Sequence, residues 1–190
     1  MNGSVTVADA QREVRTVYAH GAVGQAVSGA IWLASAAAAS AGAVRPAIII
    51  LVIGGMFIFP LTQAIFRLGG RSATLSDDNP LTGLAMQVAF IVPLTLPVAG
   101  AAALYDLNWF YPAVMIIVGA HYLPFIFLYG MRAFGVLAAG LMAGGFLVGL
   151  RMRDSFAAGA WLTAVMLLAF AGWAALAYRR TGAPAVRSPA

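Results

Sequence analysis

Six stretches of this chain stay apolar for about as long as a helix needs to cross a bilayer: 18–42, 47–66, 80–104, 109–131, 133–150 and 155–178. Hydrocarbon offers the backbone no water, so such a segment satisfies its own N–H and C=O groups as an α-helix of ~20 residues. A soluble alternative fails on charge, since only 9% of the residues are charged against about 25% in a water-facing domain. The expectation is an all-α polytopic membrane protein, a six-helix transmembrane bundle over 18–178. Residues 1–17 precede it, and a tail over 179–190 is disordered by composition.

The eleven basic residues are all arginine and sit at the ends of the apolar runs. Arg12, Arg15, Arg67, Arg71, Arg132, Arg179, Arg180 and Arg187 fall on one side; Arg45, Arg151 and Arg153 fall on the other. The positive-inside bias then predicts that both termini are cytoplasmic, with Tyr105, Trp109, Phe110 and Tyr111 as an aromatic belt at the opposite interface. Charge spread this way gives no basic patch for nucleic acid. Arginine without lysine, beside abundant alanine and glycine, suggests a GC-rich bacterial genome and hence the bacterial inner membrane. The absence of cysteine excludes disulfides, thiolate catalysis and iron–sulfur clusters.

Local signals mark the ends. In "TVADAQREVRTVY", Thr6 and Asp9 form a capping-box pattern, and Val7, Ala10, Val14 and Val17 share one face. A short amphipathic helix at the membrane interface is expected, with a frayed terminus as the alternative. The alanine-rich end of the first span, "LASAAAASAGA", offers A-x-A cleavage sites, but the weakly apolar stretch and long charged leader favour an intact span. Asn79 is placed to N-cap a helix that begins at Pro80.

Chemistry in lipid rests on the few polar side chains at depth. His121 lies near the bilayer centre, and Gln25, Gln63 and Gln87 lie in the cytoplasmic half, with His20 near its edge. Polar groups in hydrocarbon normally face the bundle interior, which predicts one shared site. The alternative for each is a hydrogen bond that only locks helices together. Pro60, Pro93, Pro97 and Pro124 are expected to bend or interrupt three spans. Pro124 releases the carbonyl of Ala120 beside His121, and Pro60 that of Met56 one turn before Gln63, as in transporters that coordinate solutes at broken helices. Gly24 with Ser28 and Gly140 with Gly144 form small-xxx-small pairs for close helix approach. No metal centre or cofactor is expected: the two histidines are ~10 Å apart in depth, and no carboxylate lies within a span. Hydrolase and metalloprotease signatures are absent as well.

The pieces "FPLTQAIFRL", "NPLTGLAMQ" and "GAHYLPFIFLYGMRAF" together resemble an uncharacterised family of small multi-span bacterial integral membrane proteins. Its pattern of FP, then NPL, then GxHxxP falls here on Phe59–Pro60, Asn79–Pro80–Leu81 and Gly119, His121, Tyr122, Pro124, followed by Leu128–Tyr129. The resemblance implies a multi-span bundle and no activity. From the residues themselves, the leading expectation is binding or transport of a small solute or ion by His121, Tyr122, Gln87, Gln25, Gln63 and Tyr129. A non-transporting assembly subunit, contacting a membrane partner or a second copy, is the other class.

Overall fold

The computed structural model describes residues 5–181, and among them all regular structure is helical. In order come α1 (Val7–Val17), a 3-10 turn at Ala19–Gly21, α2 (Ala22–Ser40), α3 (Val44–Met56), α4 (Ile58–Leu68) and α5 (Thr82–Tyr105). A second 3-10 turn at Leu107–Trp109 leads into α6 (Phe110–His121), α7 (Leu123–Tyr129), α8 (Ala133–Arg151) and α9 (Ala158–Arg180). Five segments are long and apolar enough to cross a membrane: Ala19–Ser40, Thr82–Tyr105, Leu107–Tyr129, Ala133–Arg151 and Ala158–Arg180. The pair α3 and α4 makes a sixth if it is one span, bent by 58°. Helix α9 runs through Arg180, two residues into the expected tail, and residues 182–190 lie outside the described ones.

Helix α2 packs along α9 and α3 and touches α4; α6 packs along α8, both reach α9, and α5 leans on α6. Lipid supplies no hydrophobic drive between helices, so close van der Waals approach decides which pairs associate. The tight approach of α6 and α8 depends on two glycines. A Cβ at Gly119 would lie 3.0 Å from both the Ala138 oxygen and the Met142 nitrogen, and one at Gly145 2.9 Å from the Pro112 oxygen. Gly140 and Gly144, the pair visible in the sequence, meet only side-chain ends, those of Met166 at the first and of Met115 and Leu162 at the second.

Two of the three expected interruptions are present. The second span breaks at Phe57, with Pro60 in the first turn of α4, and the fourth breaks at Tyr122, with Pro124 in the first turn of α7. A proline there removes a donor that would have no helical partner anyway. Pro93 and Pro97 do not interrupt α5, which runs unbroken from Thr82 to Tyr105. Both rings lie on its exposed face, and the Thr95 hydroxyl between them donates to the Ile91 carbonyl at 2.6 Å. Bilayer helices tolerate proline by such local side-chain bonds.

At one end of the bundle α1 is strapped down by side chains. Thr6 caps it, accepting the Asp9 N–H at 3.2 Å and donating to the Asp9 carboxylate at 2.6 Å. Ala10 and Val14 are fully buried, so this face packs on protein and not on lipid. The Glu13 carboxylate accepts from the Ser76 N–H (2.6 Å), the Ser76 hydroxyl (2.9 Å) and the Asn79 amide (2.9 Å). Gln11 and Arg15 donate to the last carbonyls of α7, those of Phe127 and Tyr129, at 2.5 and 2.6 Å. Asn79 does not cap a helix at Pro80; its oxygen accepts the Leu81 N–H at 2.9 Å in a turn, and the helix begins at Thr82. Between α1 and α2, Ala19, His20 and Gly21 take φ of 47°, 57° and 84° in succession. A left-handed residue other than glycine costs about 1–2 kcal/mol, a strain that the docking of α1 must hold.

The expected aromatic belt divides at the other end. Tyr105 is 91% exposed, whereas Phe110 and Tyr111 are buried and Trp109 covers Gly149. The reason is that α6 starts at Phe110, and its first turn already packs between α8 and α9.

Candidate functional site

The break between α6 and α7 presents two adjacent polar residues to different sides. Neighbours on a helix diverge by about 100°, so the two side chains leave the break in different directions, although both rings touch Phe125. Tyr122 points inward and is 5% exposed; its hydroxyl donates to the Gln25 oxygen at 2.7 Å across to α2, with Ser28 beside it. His121 turns toward α5. Its ring lies 5.0 Å from Phe125 and 5.4 Å from Tyr122 and faces the backbone of Val88. Its Nδ1 is buried without a hydrogen-bond partner.

The other expected site residues do not converge there. Gln87 is exposed on α5, because Val88, one position on, occupies the face packed toward α6. Gln63 donates to the Ala73 carbonyl at 3.0 Å and so fixes the 67–79 loop. Tyr129 is buried, its ring stacked 5.5 Å from Phe125 and 4.8 Å from Phe134. Of the six residues expected in one interior site, the structure brings together one bonded pair, Tyr122–Gln25, beside an imidazole whose Nδ1 has no partner. Pro60 is exposed on α4, which packs on α2 and α3.

What surrounds the break is aromatic. Phe134 of α8, fully buried, lies within 6.1 Å of the rings of Tyr122, Phe125, Tyr129 and Phe170. The spacing 122, 125, 129 is one helical face, a signal present in the sequence beside the histidine. A second polar chain, also unexpected, joins three helices further along. Ser35 donates to the Ala47 carbonyl at 2.8 Å, so its one proton is committed and Tyr111 must donate to the Ser35 oxygen at 2.6 Å. Ser35 is one of two serines in an alanine run, and Tyr111 looks interfacial by position; nothing in their spacing links them.

Among the described residues no group of three or more His, Cys, Asp or Glu side chains is arranged to hold a metal ion. Two carboxyl groups of α1 are shifted by their hydrogen bonds. Burial alone would raise the Glu13 pKa, but the bonds from Ser76 and Asn79 outweigh it and hold the carboxyl below its ordinary value. The Asp9 carboxyl is lowered chiefly by the Thr6 hydroxyl.

Five or six apolar helices, internal polar bonds between them and a terminal strap define a multi-span helical protein of the membrane-spanning class. The chain belongs to DUF7010, a family of unknown function, whose match covers residues 7–177. No curated protein and no solved structure matches it.

Proposed function

We propose that the protein binds a small polar solute or ion within the bacterial cytoplasmic membrane, at the break between α6 and α7, and couples that binding to transport. The observation that carries this reading is the His121 Nδ1, buried and unpartnered at a helix break. Such a polar group is costly in hydrocarbon and marks a functional position by default. Pro124 adds a second group, since it cannot bond the Ala120 carbonyl one residue from the imidazole. A ligand entering between α5 and α6 meets both, while Tyr122 and Gln25 behind them hold the break in place. Support for cytoplasmic termini comes from charge: Arg12, Arg15, Arg67, Arg71, Arg132, Arg179 and Arg180 sit at the strapped end, and only Arg45, Arg151 and Arg153 at the other.

The test is a comparison of wild type, His121→Ala and His121→Asn in detergent and in proteoliposomes. Thermal shifts with ammonium, sodium, potassium, acetate and small amino acids identify a ligand, and its uptake is then followed from pH 5.5 to 8. Loss in His121→Ala, with a changed pH profile in His121→Asn, is expected. Unchanged uptake in both variants across that range would defeat the reading. The assembly reading is favoured by one separate observation: α5 buries only 11% of its most apolar window, against 39–44% for the other four spans that qualify alone. A co-purifying partner that is lost when large residues replace small ones on that face would select it instead.

A further inference from the structure

Helices α4 and α9 both pack on α2 from different sides. On α2, Gly24 faces Thr62 of α4, and Gly29 faces Leu168 of α9. Between those two contact lines Ala26, Ala30, Ala34 and Ala37 are exposed. With Leu33, 39% exposed, they make an outward-facing apolar strip of mostly small side chains between the α4 and α9 contacts. At the strapped end a cation bridges these two flanking helices. The Arg71 guanidinium lies 5.4 Å from the centre of the Phe66 ring, on α4, and 5.3 Å from that of Tyr178, on α9, and it donates to the Thr16 carbonyl at 2.9 Å. One of its donors is thus taken and the fork is held flat between rings, leaving other N–H groups to face outward.

Charge at this corner is not neutralised from within. Arg67 on α4 and Arg179 on α9 belong to the same end of the bundle, and both are exposed. Among the described residues the single ion pair is Arg12–Asp9, and Glu13 is occupied by Ser76 and Asn79. A further polar group stands unpaired beside the same ring. His20, 8% exposed, meets Tyr178 edge-on at 5.5 Å, and its Nδ1 has no partner. The Arg71 guanidinium and the His20 imidazole thus both lie against Tyr178, at the end of the bundle that also carries the exposed Arg67 and Arg179.

We propose that this strip, with the arginines at its end, is a binding site for an anionic phospholipid. The headgroup phosphate sits on Arg71, Arg67 and Arg179, and one acyl chain lies over the alanines of α2. Planar, preorganised guanidinium suits phosphate oxygens, and small side chains let an acyl chain approach the α2 backbone. A zwitterionic lipid presents the same tail without the net charge, so selectivity resides at the arginines. Solute binding at His121 is a separate matter on the far side of α2, and either can fail alone.

Native mass spectrometry of the full chain in detergent, titrated with phosphatidylglycerol or phosphatidylcholine, reads the preference directly. Wild type is expected to retain one phosphatidylglycerol more tightly than phosphatidylcholine. Each arginine near an anionic surface contributes about fivefold in affinity, so Arg71→Gln should lower the preference by about that factor. Arg71 also packs, so the double variant Arg67→Gln/Arg179→Gln, which removes no stacked ring, should lower it independently of folding. Ala30→Trp covers the strip and should displace the bound lipid of either headgroup, while Arg153→Gln at the other end should change nothing. Undiminished preference in both arginine variants, or undiminished retention in Ala30→Trp, overturns the proposal. So does competition by millimolar inorganic phosphate, which would mean a free-anion site without a lipid.

Discussion

Replacing Gly145 by alanine adds a single methyl group where α8 meets α6, and its cost can be worked from the contacts it would make. The new Cβ would stand 2.7 Å from Ile116 Cγ1, 2.9 Å from the Pro112 oxygen and 3.3 Å from the Ile116 nitrogen, against an ordinary contact of 3.4–4 Å. Two of these atoms are backbone, so no rotamer change relieves them, and α6 and α8 must part by about half an ångström. Overpacking of this kind costs about 1–3 kcal/mol, and the helix preference of alanine over glycine returns at most about 1 kcal/mol. Gly144→Ala supplies the control one position away. There the methyl meets the Met115 methyl at 2.7 Å and a Leu162 methyl at 3.1 Å, both side-chain ends, and methionine yields readily. The chain's four tryptophans allow thermal unfolding in detergent to be followed by intrinsic fluorescence. With about 2–4 °C per kcal/mol for a chain of this size, Gly145→Ala should lower the midpoint by several degrees and Gly144→Ala by little or nothing. Equal midpoints for the two variants would refute the claim that backbone contact at Gly145 sets the α6–α8 spacing.

Tyr122→Phe leaves the buried Gln25 amide unpaired and should cost about 1–3 kcal/mol; the double variant Gln25→Leu/Tyr122→Phe should recover much of that in the same melt. Ser35→Ala removes the acceptor of Tyr111 and one bond to Ala47, for a loss of about 1 kcal/mol or more. The strap should be acid-labile. The folded pKa of Glu13 lies below its unfolded value of about 4.3, so its contribution is full above that pH and disappears as pH falls through the lower, folded value. Protection of the 72–79 amides, measured against their intrinsic exchange rate at each pH, should therefore be high near neutrality and fall in that acid range, and Glu13→Gln should show the low protection at every pH.

Much of this architecture is legible in the sequence because a bilayer leaves so few ways to satisfy a backbone. Apolar length alone located the helices to within a few residues, and the Thr6–Asp9 pattern marked the start of α1. Which way a side chain points is harder to read. In water an amphipathic stripe reports the buried face, but a helix in lipid is apolar on all sides, and α5 carries no such stripe. Gln87, expected inside, therefore lies exposed, and Pro93 and Pro97 lie on an outer surface where the helix tolerates them. The separation of His121 from Tyr122 was readable, since adjacent helical residues diverge by about 100°. What no local pattern carries is the long-range pairing of Glu13 with Ser76, Tyr111 with Ser35, or Arg71 with Tyr178, each set by how helices distant in sequence come to rest.

The strap has a consequence for the order in which the chain matures. Helix α1 is made before the spans it docks on, and every bond that ties it down involves something made later: the 71–79 loop after two spans, and the end of α7 after four. Before α7 has been inserted, α1 can hold only the 71–79 loop, and its other contacts stay open while its amphipathic face has a provisional home at the bilayer surface. Its docking is then completed in two stages, and the second reports that the spans between have found their places.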